Sequence, residues 1–222
     1  MLQLVVWDWN GTLIADTQAC MDAGNHVIRT YGGTPLTRKI YAATFDFPTI
    51  NFYCRQGCNR ESLESGYKET FYGFYEERAS KCRTRQGARE ALAWLRERSI
   101  PSVILSNHLK DDISSHLDRL DLTGYFDQIL ANTEMEASAS GNNKVDRMRK
   151  HLTDTSYDPS ETVIVGDSPE DIAIGRTLRM RTVAVEDGYF STPRLRAIKP
   201  DHVIGSLRKS VEIFEEYHNE KI

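Results

Sequence analysis

The stretch Leu4-Val5-Val6-Trp7-Asp8-Trp9-Asn10-Gly11-Thr12-Leu13 is a short apolar run that ends in a carboxylate, an amide, a glycine and a hydroxyl. Val5 and Val6 are β-branched and the run is too short for an independent helix, so it reads as a strand that stops near Asp8 and turns sharply. Three later stretches carry matching chemistry. Ser106-Asn107 follows the apolar run 101–105, Lys144 opens a helical pattern, and Gly166-Asp167-Ser168-Pro169-Glu170-Asp171 follows the apolar run 162–165.

Between the first strand and residue 84 the pattern changes from strand to helix. Cys20, Ala23, Val27, Ile28 and Tyr31 make an apolar stripe ended by Gly32-Gly33, and Leu63, Tyr67, Phe71, Phe74 and Tyr75 make a second. The intervening stretch 34–59 has weak periodicity but is rich in aromatics. Residues 15–83 hold eleven of the 21 aromatic residues, enough to expect a small core of their own. From Arg85 onward helix and strand patterns alternate, which argues for a parallel sheet with crossover helices. Strands are expected at 102–105, 126–131, 162–165, 182–185 and 202–204, and a closing helix is expected with Ser206 at its N-cap. The polar segment 134–143 reads as a loop long enough to approach a site. In an open parallel sheet the ligand crevice lies at the carboxyl ends of the strands, where strand order reverses. Asp8, Ser106 and Asp167 each stand just past such an end.

A length of 222 residues can bury one ordinary domain with an inserted module. A formal charge of -4 gives no global attraction to nucleic acid or to anionic membrane. Four scattered cysteines without a Cys-x-x-Cys pair favour reduced thiols over a disulfide framework or a zinc site. With no leader-like segment and no long apolar run, the expectation is a soluble, cytoplasmic protein, monomer or homodimer.

In order and spacing, Asp8-x-Asn10-Gly11-Thr12, then Ser106, then Lys144, then Gly166-Asp167-x-x-x-Asp171 resemble the haloacid dehalogenase superfamily, over the whole chain. Its pattern is Asp-x-Asp-x-Thr, Ser or Thr, Lys, and Gly-Asp-x-x-x-Asp. The resemblance implies an α/β fold: a Rossmann-like three-layer core with a mostly parallel sheet (1–14 and 84–222) and an inserted all-α cap (15–83). It further implies a Mg²⁺-dependent hydrolase of a small phosphorylated metabolite acting through an aspartyl-phosphate.

On that reading Asp8 is the nucleophile, and Gly11 and Thr12 shape the phosphate loop. Ser106 and Asn107 donate to phosphoryl oxygens, and Lys144 neutralises charge, with Lys110 and Lys150 as substitutes. Asp8, Asp167 and the Asn10 backbone carbonyl hold Mg²⁺, and Asp171 orients Lys144 or a ligating water. Each residue also has a local account. Asp8 can end a strand in a turn, Lys144 can be a solvated first-turn lysine, and Ser168-Pro169-x-Asp171 can simply cap a helix.

Asn10 departs from the pattern. Where most phosphatases of the superfamily have an acid/base Asp, an amide can neither give nor take the proton, a role worth typically about 10²–10⁴-fold. Three outcomes stay open: a slow phosphatase that favours good leaving groups, an enzyme using another acid such as His108, and a phosphometabolite-binding or regulatory protein without catalysis. Carbon–halogen hydrolysis is a further alternative, less suited to Asp167 and Lys144. In the cap, Arg38, Lys39, Arg55 and Arg60 against Asp46 read either as an anion-holding patch or as solvated side chains.

Overall fold

A computed structural model describes residues 1–134 and 144–220. Strand β1 (Leu4–Trp7) is followed by helices α1 (Thr17–Thr30), α2 (Arg38–Thr44), α3 (Thr49–Arg55), α4 (Arg60–Glu64) and α5 (Tyr67–Ala79). Then come α6 (Ala88–Glu97), β2 (Ser102–Leu109), α7 (Lys110–Arg119), β3 (Gln128–Asn132), α8 (Lys144–Thr155), β4 (Thr162–Gly166), α9 (Pro169–Leu178), β5 (Arg181–Val185), α10 (Thr192–Ala197), β6 (His202–Ile204) and α11 (Arg208–Asn219).

The six strands form one sheet in the order β3-β2-β1-β4-β5-β6, and every neighbouring pair is parallel. The chain moves outward from β1 through β2 to β3, then crosses back to lay β4 on the other side of β1. Strand order therefore reverses between β1 and β4, and a parallel sheet opens a ligand crevice at such a point. Trp7 is in register with Val165 and with Ile104, so the residues that follow these strands emerge together at one edge.

Alternation in β1 sets the layers. Val5 and Trp7 face a core shared with Leu92 and Leu95 of α6 and Phe214 of α11, and the Trp7 and Phe214 rings meet edge to face at 5.7 Å. Leu4 and Val6 face the opposite core, with Met148 and Leu152 of α8 and Ile174 of α9. Both faces of β1 are buried, which is why its sequence is continuously apolar.

Helices α1 to α5 bury an aromatic cluster of their own, including Tyr41, Phe45, Phe52, Tyr53 and Tyr67, which also packs on Phe190 and Leu195 of the sheet-bearing part. The two chain segments that join these helices to the sheet run side by side. The Ala15 N–H donates to Arg83 O and the Arg85 N–H to Leu13 O, both at 2.8 Å.

Local details depart from the sequence reading. The stretch 34–59, without clear period, forms α2 and α3, and the stripe expected as one helix over 63–75 breaks at Ser65-Gly66 into α4 and α5. Leu207, not Ser206, is the N-cap of α11, and the Ser206 hydroxyl accepts from the Arg208 N–H at 3.3 Å. Strand β2 runs on to Leu109, so His108, read as a loop residue, extends the sheet and is buried. The expected loop 134–143 lies outside the described residues except for Glu134.

Candidate active site

Lys144 opens α8 and reaches across the end of β1. Its Nζ donates to Asp8 Oδ1 and to Asp171 Oδ1, both at 2.7 Å, with its side chain 3% exposed. Asp8 follows β1 and is held there by its own N–H, which donates to Val165 O on β4 at 2.9 Å. Asp167 follows β4, and the Thr12 hydroxyl joins the two carboxylates, 3.3 Å from Asp8 Oδ2 and 3.2 Å from Asp167 Oδ1. Carboxylate oxygens of Asp8, Asp167 and Asp171 lie within 4.8 Å of one another, all buried.

Close backbone approach makes this packing feasible. Gly11 has φ +73°, and a Cβ there would stand 2.6 Å from Asp167 Oδ2; a Cβ on Gly166 would stand 2.2 Å from Asp171 Oδ2. Only glycine leaves room for either carboxylate. The capping account of the Gly-Asp segment also holds: the Ser168 hydroxyl accepts from the Asp171 N–H, and Asp171 Oδ2 accepts from the Ser168 N–H. Asp171 thus joins two structures, its Oδ2 starting α9 and its Oδ1 fixing Lys144.

The electrostatics follow from three buried carboxylates facing one buried ammonium. Burial pushes the Asp8 carboxyl well above the usual range, against the pull of Lys144 and with repulsion from Asp171 and Asp167 added. Burial, with Asp171 adding to it, lifts Asp167 to about 7. Burial alone would lower the Lys144 ammonium, but Asp171 and Asp8 outweigh it and raise it. The formal surplus of two negative charges and the all-oxygen donor set fit a hard divalent cation such as Mg²⁺.

Ser106 is buried on β2, two residues past the register partner of Trp7; its Oγ accepts from the His108 N–H at 3.1 Å. Asn107 is more committed than expected, since its Nδ2 donates to Glu170 Oε2 at 2.9 Å and its Oδ1 accepts from Arg147 at 3.4 Å. The N–H of Gly11, expected near phosphate, is taken by Asp16 Oδ1 at 2.7 Å. Lys110 and Lys150 stand outside the cluster, Lys150 pairing with Asp154 at 2.6 Å.

Asp16 is the main residue that sequence reasoning missed. Its fully buried carboxylate accepts on Oδ1 from Gly11 and on Oδ2 from Asn10 Nδ2 at 2.8 Å, Tyr75 Oη at 2.6 Å and Tyr189 Oη at 2.7 Å. It occupies the N-cap of α1 yet makes no side-chain cap bond, because its oxygens face the Asn10 turn. Burial, with Asp16 adding to it, pushes the Tyr75 and Tyr189 phenols well up, which keeps them protonated and donating. Arg85 was also missed: it donates to the carbonyls of Gly11 and Glu186.

Beside this cluster lies a cavity of about 660 Å³ including its open mouth, walled by Phe45, Phe47, Tyr53, Tyr67, Phe71 and Tyr72, with Asn10 and His108 also lining it. Arg38, Lys39, Arg55 and Arg60, for which an anion-holding patch and solvated side chains were both open, are not among its lining residues. Arg38 reaches Asp187 O at 3.5 Å, Arg55 reaches Thr44 O at 3.4 Å, Arg60 pairs with Glu64 at 3.6 Å, and Lys39 is exposed. Lys68 is the one lysine or arginine among the described lining residues.

At the β1/β4 reversal Asp8, Lys144, Asp167 and Asp171, drawn from three of the four sequence segments, share one buried cluster. Residues 5–185 match the family model of the haloacid dehalogenase-like hydrolases, and the chain belongs to that family. Among its relatives, pyrophosphatase PpaX of Halalkalibacterium halodurans is 21% identical over 96% of each chain. A phosphoglycolate phosphatase of Synechococcus elongatus is 22% identical over 91% of this chain and 92% of its own. In fold the chain is similar to a haloacid dehalogenase-like hydrolase from Streptococcus pneumoniae, with TM-score 0.79 at 18% identity, covering 96% of this chain and 98% of the other. Among the described residues no helix is long and apolar enough to cross a membrane.

Proposed function

We propose that the protein hydrolyses small phosphate monoesters by way of an aspartyl-phosphate on Asp8, with residues 15–83 acting as a cap over the site. One observation carries this reading: Asp8 is buried at the carboxyl end of β1 and held by Lys144, whose second bond to Asp171 fixes its position. A structural ion pair at a strand end needs neither a third buried carboxylate nor two glycines that admit those carboxylates.

In the first step a carboxylate oxygen of Asp8 bonds to phosphorus as the P–O bond to the leaving group breaks, its electron pair departing with the leaving oxygen. In the second, water attacks phosphorus, the bond to Asp8 breaks, and inorganic phosphate leaves. Lys144 offsets the negative charge that Asp8 and the phosphoryl oxygens bring together, and the Ser106 hydroxyl and N–H groups of the β2 end supply hydrogen bonds to those oxygens. Asp8, Asp167 and the Asn10 carbonyl would hold Mg²⁺, which supplies further charge neutralisation on the transferring group. Asn10 cannot protonate the leaving oxygen, so that proton comes from water and good leaving groups react fastest.

The aromatic wall supports a finer reading of the substrate. A planar, largely apolar leaving group fits stacked rings better than the small anions named for the relatives do, since stacking favours ring faces and Lys68 is the single described cation there. In Mg²⁺, para-nitrophenyl phosphate is expected to release phosphate faster than phosphoglycolate or pyrophosphate. Asp8→Asn is expected to reduce that release by at least about 10³-fold, the scale on which losing a nucleophile is felt. Undiminished release would remove Asp8 from the mechanism.

Asn10 also supports a second reading, a phosphate-binding protein that no longer turns over. Beryllium fluoride with Mg²⁺ separates the two: a trapped complex without phosphate release from any tested ester favours binding alone.

A further inference from the structure

Where the helical segment meets the sheet, α5, the end of β2 and the first turn of α7 bring Glu76, His108 and Asp112 together. His108 Nε2 lies 3.6 Å from Glu76 Oε1 and 3.7 Å from Asp112 Oδ2. One ligand atom from each of the three falls within 4.8 Å of the others. His108 Nε2 and Glu76 Oε1 are buried without a hydrogen-bond partner among the described residues, on an imidazole whose side chain is only 6% exposed. A buried ring nitrogen left bare between two carboxylate oxygens calls for something in the gap.

We infer that Glu76, His108 and Asp112 form a binding site for a divalent transition cation of the Zn²⁺ or Mn²⁺ class, separate from the Asp8–Asp167 crevice and joining the helical segment to the sheet. Donors about 2.0–2.1 Å from a tetrahedral metal stand about 3.3 Å from one another. The observed 3.6 Å and 3.7 Å separations from His108 therefore need to close by only a few tenths of an ångström. Two carboxylates and a neutral imidazole carry a formal charge that one divalent ion cancels. The nitrogen donor selects against Mg²⁺, which prefers oxygen and keeps its water.

His116 plays a different part in this site. Its Nδ1 contacts the Arg119 guanidinium at 3.1 Å, and because arginine only donates, Nδ1 must accept. The proton of the neutral ring then sits on Nε2, which faces Glu76 Oε2 at 3.5 Å. His116 Nε2, likewise without a hydrogen-bond partner among the described residues, stands beside the Glu76 oxygen that would not ligate and would hold it once a cation draws the carboxylate in.

The test is Co²⁺ titration of the full chain in a large excess of Mg²⁺, which occupies the oxygen site, followed by visible absorption. Wild type is expected to bind one equivalent of Co²⁺ with a ligand-field band that Zn²⁺ abolishes by displacement. Glu76→Gln and Asp112→Asn are expected to lose the band, His116→Phe to bind about 10–100-fold more weakly, and Asp167→Asn to keep it. Absence of the band in wild type, which involves no question of variant folding, overturns the site. So does a band that survives Glu76→Gln and Asp112→Asn but vanishes in Asp167→Asn. A His108 ring found doubly protonated by ¹⁵N resonance, and unmoved by Zn²⁺, would assign the cluster to plain ion pairing instead.

Discussion

Lys144→Met is expected to destabilise the protein by about 3–5 kcal/mol, the cost of removing one partner from a buried charge cluster. Methionine fills much of the volume, so the loss is electrostatic: Asp8 and Asp171 remain buried with no ammonium between them. The pH dependence follows from the same contacts. The Lys144 ammonium is raised in the folded state, because Asp171 and Asp8 outweigh the opposing effect of burial. Its contribution is therefore whole below the unfolded value of about 10.4 and is lost as pH rises through the folded value. In the variant the carboxyls take up protons in acid, so the deficit should shrink between pH 8 and pH 5. Denaturant midpoints at the two pH values measure it, and a loss under about 1 kcal/mol at pH 8 would mean that the cluster is not held as described. Phosphate release should also fall, by about 10²–10³-fold, as when one preorganised donor to a developing charge is removed.

Asn10→Asp is expected to raise turnover on poor leaving groups by about 10²–10⁴-fold. The amide nitrogen lies 2.8 Å from Asp16 Oδ2, so the substitution sets two carboxyl groups within hydrogen-bond distance of each other. Like charges that close cannot both ionise, and one carboxyl keeps a proton at neutral pH, where it can serve the leaving oxygen. The gain should be largest on the acid side and fade as pH rises. Stability has the same sign: the folded state holds a proton that the unfolded chain releases near about pH 4, so the variant loses stability relative to wild type as pH rises above that value. Stopped-flow phosphate release and thermal midpoints across pH 5–8 measure both effects. An unchanged rate on alkyl phosphates would show that position 10 does not face the leaving group.

Much of the sheet was legible because its rules are local. A short β-branched run before a carboxylate and a glycine, then helix and strand patterns in alternation, fix the order of elements, and parallel register brings Asp8 and Asp167 to one edge. Lys144 and Asp171 could be found because the spacing of the four segments resembles a known pattern. Asp16, Tyr75 and Tyr189 were not legible. Their shared contact links positions 59 and 173 residues apart, and of the three only Tyr75 carried a local signal, as part of an apolar helical stripe. For the charged residues of α2 to α4 composition left an anion patch and solvated side chains both open, and the fold turns them toward backbone carbonyls, Glu64 and solvent.

The seam between helices and sheet is fastened in two ways that differ in their response to ionic strength. At Asp16 the partners are neutral, an amide N–H, a carboxamide and two phenols, so added salt has little to screen. At Glu76, His108 and Asp112 two carboxylates, each about one-third exposed, stand beside a buried imidazole, so this side carries charge that salt can reach. Raising salt should loosen that side first, so the helical segment would swing about the Asp16 side rather than lift away evenly.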